Sequence, residues 1–244
     1  MKAIILAAGY ATRLYPLTIN KPKALLTINE KPIINYIVEQ INTIDVVDEI
    51  YVVTNHKFIN SFANWQNEIK SRAKITVLDD GTTSEEDRKG AIGDIAFVIQ
   101  KMNINDELLV IAGDNFFTYP LKNYYDFYKQ KNKDCVCVKI WNDEKTLRNF
   151  GIALLDKNNK VLDIEEKPEN PKSNAVVFAM YLYQKNTIPL FEKYLSQGNN
   201  PDAPGNFPAW LYKQKEVYAY TFQGECYDIG TPESYQEVQA LFQK

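Results

Sequence analysis

The first 130 residues alternate between short apolar runs and longer amphipathic stretches, and this alternation limits the folds that the chain can adopt. The apolar runs are nearly continuous, which is typical of strands covered on both faces of a parallel sheet. The amphipathic stretches between them have the length of connecting helices. The pattern predicts an α/β fold, a Rossmann-like, doubly wound, mostly parallel sheet flanked by helices. The apolar runs are residues 2–8, 49–55, 74–79 and 107–114, and the amphipathic stretches are residues 32–44, 58–70 and 91–102.

From residue 131 onward the pattern changes, because strand-like segments follow one another without long helices between them. This change predicts additional β strands in the C-terminal half. We expect one domain over residues 1–244, made of the halves 1–130 and 131–244. The predicted strands are residues 135–141, 151–156, 160–166, 175–183 and 216–222; a helix near 187–196, a loop at 198–208 and a closing helix from Pro232 complete the chain.

Charge and composition exclude several classes of protein. The 28 basic and 31 acidic residues give a net charge of −3, which provides no general attraction for nucleic acid. No apolar stretch approaches the ~20 residues that span a bilayer, and no signal peptide is present, so we expect a cytoplasmic protein without a membrane partner. One histidine and three irregularly spaced cysteines favour neither Ser-His catalysis nor a Cys/His metal site. A monomer or small homo-oligomer is expected.

The sequence LAAGYATRL, residues 6–14, follows the first predicted strand. In open α/β sheets, ligands bind beyond the carboxyl ends of the strands. Small residues there allow backbone N–H groups to approach phosphate closely, and Arg13 provides a fixed positive charge suited to phosphate oxygens. The stretch therefore predicts a phosphate-binding loop, with a tight strand-to-helix turn carrying solvated charges as the alternative. The small residues are Ala7, Ala8, Gly9 and Ala11.

Residues 1–41 resemble the amino-terminal signature of the sugar-1-phosphate nucleotidyltransferases, L-A-[AG]-G-x-[GA]-[ST]-R-[LM]-x-P-L-T-x-x-x-P-K-x-L. Ala11 stands where glycine is commoner in that family. The resemblance implies that Arg13 holds the departing pyrophosphate and that Lys23 neutralises phosphate charge. It also implies that the loop surrounds the triphosphate group of the nucleoside triphosphate through Leu6, Ala7, Ala8 and Gly9.

Two aspartates resemble the metal-binding residues of the same family. Asp114 ends a predicted strand in VIAGDNFF, residues 110–117, and Asp228 lies in CYDIGTPESYQEV, residues 226–238. The resemblance implies that both carboxylates hold Mg²⁺ and that Asp114 also contacts the nucleotide. A helix cap or turn is the alternative for a Gly-Asp pair that follows a strand.

A third segment, residues 150–183, resembles the sugar-binding segment of glucose-1-phosphate thymidylyltransferases, because its E-E-K-P and P-K-S-N elements are unbroken. Lys167 is implied to contact the phosphate of the incoming sugar 1-phosphate. A charged hairpin turn capped by Pro168 is the alternative. The residues implied to contact the substrate are Gly151, Glu166, Lys167 and Val177.

Residues 78–95 occupy the place where thymidylyltransferases of this family have a glutamine for the base, but here the segment is longer and acidic. An ionised Asp80 only accepts hydrogen bonds, which suits guanine or the amino group of cytosine better than thymine. Alternatively, Asp80 caps its own turn and backbone groups near Gly81 and Gly90 contact the base. The nucleotide stays open among CTP, UTP, dTTP and GTP.

The resemblance implies that a nucleoside triphosphate and a sugar 1-phosphate react to give an NDP-sugar and pyrophosphate, in a Mg²⁺-dependent in-line displacement. The attacking phosphate oxygen is already largely ionised at neutral pH, because its second pKa is about 6, so no general base is needed. Residues 1–130 would bind the nucleotide and residues 131–244 the sugar phosphate.

Other hypotheses remain beside this one. One is a cytidylyltransferase that acts on a phosphorylated alcohol or a phosphonate, such as choline phosphate. Another is a catalytically inactive, nucleotide-binding regulatory protein. Because the sequence ends about one helix after Asp228, we also expect a short form that lacks the carboxy-terminal extension of many relatives.

Overall fold

The computed structural model describes residues 1–143 and 147–242, with the side chain of Asp228 outside the description. The strands are β1 (Lys2–Leu6), β2 (Thr27–Ile28), β3 (Lys31–Pro32), β4 (Glu49–Thr54), β5 (Lys74–Asp79), β6 (Leu108–Ala112), β7 (Asn115–Phe117), β8 (Asp134–Ile140), β9 (Gly151–Leu155), β10 (Val161–Glu166), β11 (Ala175–Tyr183), β12 (Val217–Thr221) and β13 (Cys226–Asp228). The α-helices in the described residues are α1 (Ile33–Ile41), α2 (Ile59–Glu68), α3 (Ala91–Lys101), α4 (Leu121–Lys131), α5 (Ile188–Ser196), α6 (Asn206–Leu211) and α7 (Pro232–Phe242).

The described residues form two compact units. The first unit comprises Met1–Lys89, Ile111–Lys122 and the described residues from Gly224 onward, and the second comprises Gly90–Val110 and Asn123–Gln223. Strand β6 contributes residues to both. The proposed division into halves at residue 130 stays a prediction.

The first unit contains a parallel sheet with the strand order β6–β1–β4–β5, in which β4 pairs in parallel with both β1 and β5. The centre of β1 is fully buried, which explains why its sequence is a continuous apolar run. Helix α1 buries one apolar stripe, as its period of three and four residues requires. That stripe consists of Ile33, Ile34, Ile37, Val38 and Ile41.

The last described segment of the chain also belongs to the first unit. Strand β13 pairs antiparallel with β7, and Val238 of α7 joins a buried apolar cluster with Ile28 and Phe116. The Tyr235 hydroxyl donates a hydrogen bond to the Thr27 carbonyl oxygen at 2.6 Å. These contacts attach α7 to the short β2–β3 pair.

The second unit is built on β11, which pairs antiparallel with both β8 and β9. Strand β10 pairs antiparallel with β9, and β12 pairs in parallel with β8. Aromatic rings fill the space beside β11: Phe191 of α5 and Phe207 of α6 stack with their centroids 3.9 Å apart. This unit confirms the predicted additional strands. The α/β class with a mostly parallel sheet is confirmed by the parallel pairing of β1, β4 and β5 in the first unit.

Three features bear on the remaining expectations. All three cysteines are buried and none is in a disulfide, which agrees with their interpretation as small core residues. Within residues 1–143 and 147–242, no helix is long and apolar enough to cross a membrane. The sequence analysis did not anticipate α4, the short β7–β13 pair, or α6, part of which falls in the predicted loop 198–208.

Candidate active site

The loop after β1 is held by hydrogen bonds to the backbone of β4 and to the side chain of Asn55, the residue that follows β4. The Ala7 N–H donates to the Val53 carbonyl at 2.9 Å, and the buried Asn55 side chain donates to the Ala8 carbonyl at 2.8 Å. Gly9 is exposed, and a Cβ atom placed on it would meet nothing within 4 Å. The loop is therefore fixed on one side and open on the other, as backbone binding of phosphate requires.

Ala11 adopts the left-handed conformation, with φ 50° and ψ 42°, and begins the 3₁₀ turn Thr12–Leu14. Alanine bears a cost of about 1–2 kcal/mol in this conformation, which glycine does not. This explains physically why glycine is the commoner residue at this place in the signature. Thr18 holds the conformation, since its hydroxyl donates to the Ala11 carbonyl at 2.8 Å.

Arg13 lies in the turn that Ala11 begins, and its side chain is exposed. It forms no hydrogen bond or ion pair with any of the described residues. Its guanidinium group is thus available to an anion, in a loop whose backbone is fixed on its inner side.

Lys23 and Asp114 form an ion pair in the first unit. The Lys23 Nζ lies 2.7 Å from Asp114 Oδ2, and the two side chains are 12% and 34% exposed. The family resemblance implied that Lys23 binds phosphate and Asp114 a metal ion, and it did not imply that the two side chains would be in contact. In this arrangement the Lys23 ammonium group supplies the positive charge that a bound metal ion would otherwise supply to the Asp114 carboxylate.

Gly113 brings Asp114 to the end of β1. The Gly113 N–H donates to the Leu6 carbonyl at 2.8 Å, and a Cβ atom on Gly113 would lie 2.8 Å from that same oxygen. Since real Cβ atoms do not come so close to another atom, only glycine permits this approach. Sequence reasoning did not select Gly113, although the Gly-Asp pair was its signal.

The backbone also brings the two predicted metal ligands to neighbouring strands. Asp228 is paired with Asn115, the residue after Asp114, in the β7–β13 ladder. Carboxylate oxygens are the donors that Mg²⁺ prefers, and it is commonly bound by one or two carboxylates together with substrate phosphates. The donor set therefore fits the metal. Among the described residues, no group of three or more His, Cys, Asp and Glu side chains is placed to hold a metal ion.

Asp80 is only 5% exposed, and its Oδ1 accepts hydrogen bonds from the Thr82 N–H and hydroxyl, both at 2.7 Å. This geometry agrees with the alternative in which Asp80 caps its own turn. Gly81 follows with φ +82°, a left-handed conformation that favours glycine. The contact of Asp80 with a base stays a prediction.

Gly90, the other glycine proposed to lie near the base, belongs to the second unit and begins α3. It has φ +77°, and a Cβ atom there would lie 2.6 Å from the Pro201 carbonyl oxygen. The Ala91 and Ile92 N–H groups donate to the carbonyls of Asp202 and Pro201 at 3.0 and 2.9 Å. Glycine is required here because the backbone at 201–202 packs against the start of α3.

The residues predicted to bind the sugar lie together in the second unit. Gly151 of β9 is paired with Glu166 of β10 on one side and with Val177 of β11 on the other. Lys167 comes directly after β10, and its N–H donates to the Phe150 carbonyl at 3.1 Å. Its φ is 50°, so this lysine is held in a conformation that favours glycine.

The Glu166 carboxyl is half-buried and has no hydrogen bond or ion pair with any residue in the described part of the chain. Burial raises the pKa of this carboxyl above its ordinary value, and the nearby Lys167 charge opposes that shift. A partly buried acceptor without a donor is costly unless a ligand supplies one. Ligand hydroxyl groups would do so.

In the first unit, a loop of small residues follows β1, and Lys23 pairs with Asp114. In the second unit, the Glu166 carboxyl has no partner among the described residues. The sequence model of the nucleotidyl transferase family matches residues 2–244, so the chain belongs to this family.

The chain is 34% identical over 235 residues to "Bifunctional protein GlmU" of Methanocaldococcus jannaschii, covering 95% of this chain and 52% of that protein. It is 28% identical over 241 residues to a "Putative mannose-1-phosphate guanyltransferase" of Sulfolobus acidocaldarius, covering 98% of this chain and 62% of the relative. The chain thus spans about half to six-tenths of the length of these curated relatives.

Among solved structures, a putative glucose-1-phosphate thymidylyltransferase from Bacillus anthracis in complex with a sucrose superposes with a TM-score of 0.78 at 26% identity. The match covers 100% of this chain and 96% of that one. This similarity supports the assigned α/β fold. The relatives support the sugar 1-phosphate hypothesis and give no support to the cytidylyltransferase alternative.

Proposed function

We propose that the chain transfers a nucleotidyl group from a nucleoside triphosphate to a sugar 1-phosphate, giving an NDP-sugar and pyrophosphate. Family membership and the names of the relatives support nucleotidyl transfer to a sugar 1-phosphate. The observation that carries the choice of acceptor is the unpaired, half-buried carboxyl of Glu166 beside Gly151, because a sugar presents several hydroxyl donors to such a group.

In the proposed reaction, an ionised oxygen of the sugar phosphate attacks the α-phosphorus of the nucleotide. A new P–O bond forms, the bond to the β-phosphate oxygen breaks, and pyrophosphate leaves with that electron pair. Since the nucleophile is already ionised, the residues have to position two anions and neutralise their repulsion. Arg13 would hold the departing pyrophosphate, and Lys23 would neutralise the charge of the nucleotide phosphates near Asp114. Lys167 would contact the phosphate of the sugar 1-phosphate.

The backbone of Leu6, Ala7, Ala8 and Gly9 would contact the triphosphate. We also propose that Mg²⁺ is the cofactor and that Asp114 and Asp228 hold it. When bound, the ion would neutralise phosphate charge. Asp114 would then no longer need Lys23 as its counter-charge.

In the second unit, Glu166 would accept hydrogen bonds from sugar hydroxyls, with Gly151 and Val177 beside it. The base would be contacted by Asp80 or by backbone groups near Gly81 and Gly90, and CTP, UTP, dTTP and GTP remain open. Monomer or small homo-oligomer, no nucleic-acid partner and a cytoplasmic location also stay predictions.

The test is a pyrophosphate-release assay over the four triphosphates and ATP, each combined with glucose 1-phosphate, mannose 1-phosphate and galactose 1-phosphate in the presence of Mg²⁺. We expect release with at least one pair, and none when the sugar phosphate is left out or the metal is chelated. Absence of release in every combination would contradict the proposal and favour an inactive, nucleotide-binding protein.

A further inference from the structure

Gly205 lies directly before α6, and its backbone faces the carboxyl group of Glu166. A Cβ atom built on Gly205 would lie 2.2 Å from Glu166 Oε2 and 3.2 Å from Glu166 Cδ. The three atoms nearest to this position all belong to Glu166. Any side chain at residue 205 would therefore collide with the carboxyl group where it now lies.

The backbone of Gly205 does not itself require glycine. Its φ of −69° and ψ of −18° are right-handed helical values that any residue adopts. Glycine in such a conformation has a cost, because it loses more freedom on folding than other residues do. The close contact with Glu166 is thus the feature of this position that explains a glycine.

Gly151 is a second close neighbour of the same carboxyl group. A Cβ atom on Gly151 would lie 2.9 Å from the same oxygen, Glu166 Oε2. The backbones of both glycines therefore lie close to the Glu166 carboxyl, which has no hydrogen-bond donor among the described residues.

The segment that carries Gly205 is anchored rather than loose. The Tyr194 hydroxyl donates to the Asn200 carbonyl at 2.7 Å, and the Asn199 side chain donates to the Tyr194 carbonyl at 2.9 Å. The carbonyls of Pro201 and Asp202 cap the first N–H groups of α3. A fixed backbone at Gly205 restricts the rotamers of the flexible Glu166 side chain, so the acceptor oxygens are in place before a ligand binds.

We propose that Gly205 is a positioning residue that sets the place of the Glu166 carboxyl and thereby helps to select the hydroxyl pattern of the sugar. This inference rests on the proposed function, in which Glu166 contacts the sugar. Sequence reasoning singled out Gly151 and Glu166 but had no signal for Gly205, which lies in the predicted loop 198–208.

The first experiment measures KM for both substrates in Gly205→Ala, using the sugar 1-phosphate of the panel that is turned over fastest. We expect KM for the sugar 1-phosphate to rise by about tenfold to a hundredfold, because the new Cβ atom displaces the Glu166 carboxyl that binds the sugar. We expect KM for the triphosphate to stay unchanged. Asn206→Ala is the matched control, because it alters the adjacent residue without adding an atom beside Glu166. We expect it to leave both KM values unchanged.

The second experiment measures binding of the same sugar 1-phosphate by calorimetry in Glu166→Ala and in the double variant Glu166→Ala/Gly205→Ala. If Gly205 acts through the carboxyl, the double variant binds as weakly as Glu166→Ala and no more weakly. If Gly205→Ala alone fails to fold, recovery of folding in the double variant supports the collision, and failure of both overturns the inference.

The outcomes separate the two proposals. Weaker binding of the sugar 1-phosphate to Glu166→Ala, together with an unchanged KM in Gly205→Ala, overturns the role of Gly205 alone. Unchanged binding to Glu166→Ala overturns the contact between Glu166 and the sugar that the proposed function contains. Equal rises of both KM values in Gly205→Ala, or further weakening in the double variant, would make Gly205 a merely structural residue.

Discussion

Several residues of the candidate site have backbone or side-chain states that cost stability. Ala11 and Lys167 lie in the left-handed region without being glycine, and the Glu166 carboxyl is half-buried without a donor. Such strain persists where the surrounding structure enforces it, and it is concentrated at functional sites. Each of the three residues allows a separate measurement.

The variant Ala11→Gly should stabilise the protein by about 1 kcal/mol, because glycine removes the cost of the left-handed conformation. The measurement is urea-induced unfolding. Ala96→Gly in α3 is the matched control, and it should destabilise by about 1 kcal/mol because its backbone is helical. If both substitutions shift the midpoint in the same direction, the conformation assigned to Ala11 is wrong.

Lys167→Gly and Lys167→Ala should differ in stability but not in activity. Both remove the ammonium group, so both should lower kcat/KM for the sugar 1-phosphate by about a hundredfold, the loss typical of one positioned electrostatic contact. The glycine variant should be the more stable by about 1 kcal/mol, because the residue has a positive φ. Equal unfolding midpoints for the two variants would contradict the strain.

Glu166→Gln should stabilise the protein at neutral pH and not at low pH. Burial raises the pKa of the Glu166 carboxyl above 4.5, so the folded protein holds this proton more tightly than the unfolded chain. That contribution is fully present below pH 4.5 and is lost as the pH rises through the raised pKa. The free energies of unfolding of the wild-type protein and of Glu166→Gln, measured over a pH series, should therefore diverge as the pH rises. A difference that stays constant with pH would disprove the raised pKa of Glu166.

At the scale of elements, one buried ion pair joins β8 to the end of the segment after α6. The Asp134 carboxylate is fully buried, and it lies 2.8 Å from Lys215 Nζ. It also accepts hydrogen bonds from the Gln184 N–H at 2.7 Å and from the Thr187 hydroxyl at 2.8 Å. Two segments of the second unit, residues 184–187 and the segment of Lys215, are therefore held to β8 by one charge.

Lys215→Ala should destabilise the protein by about 3 kcal/mol, because it leaves the buried Asp134 charge without its cation. Lys213→Ala is the control, since Lys213 is exposed and two residues away. Calorimetric unfolding of the two variants gives the comparison. A loss no larger than that of the control would show that the hydrogen bonds from Gln184 and Thr187 suffice for Asp134.

At the scale of the whole molecule, the first unit is assembled from three separate stretches of the chain. A chain that ends after Gln223 lacks β13 and α7, so β7 loses its partner strand and Ile28 and Phe116 lose the cover of Val238. We expect this truncated chain to lose cooperative unfolding of the first unit. A chain ended after Phe242 is the control, and native-like hydrogen exchange in β7 of the shorter chain would contradict the expectation.

The alternation of apolar runs and amphipathic stretches predicted β1, β4, β5 and β6 and the helices α1–α3 to within a few residues at their ends, because burial and periodicity act locally. Helix α4 was missed, since its buried stripe of Leu121, Tyr124 and Tyr128 consists mainly of tyrosine and lies among lysines, so it does not stand out as apolar in the sequence. The motifs assigned both Lys23 and Asp114 to the nucleotide site, but they did not predict that the two side chains form an ion pair.

Gly205 shows why the rest could not be predicted. Its constraint comes from Glu166 on a different strand, and its backbone angles are ordinary, so nothing in its immediate sequence distinguishes it. The same holds for Asn55, whose buried side chain supports the loop through the Ala8 carbonyl. Constraints of this kind exist only between segments that folding has already brought together.

The three-segment construction of the first unit also has a consequence during synthesis. A ribosome makes the chain from the amino terminus, so every residue of the second unit is polymerised before Cys226–Asp228, the strand that pairs with β7, leaves the exit tunnel. Until then Asn115–Phe117 has an open edge, and unpaired edges of this kind make incompletely folded chains prone to aggregation. The nucleotidyl transferase thus completes its first-made unit last.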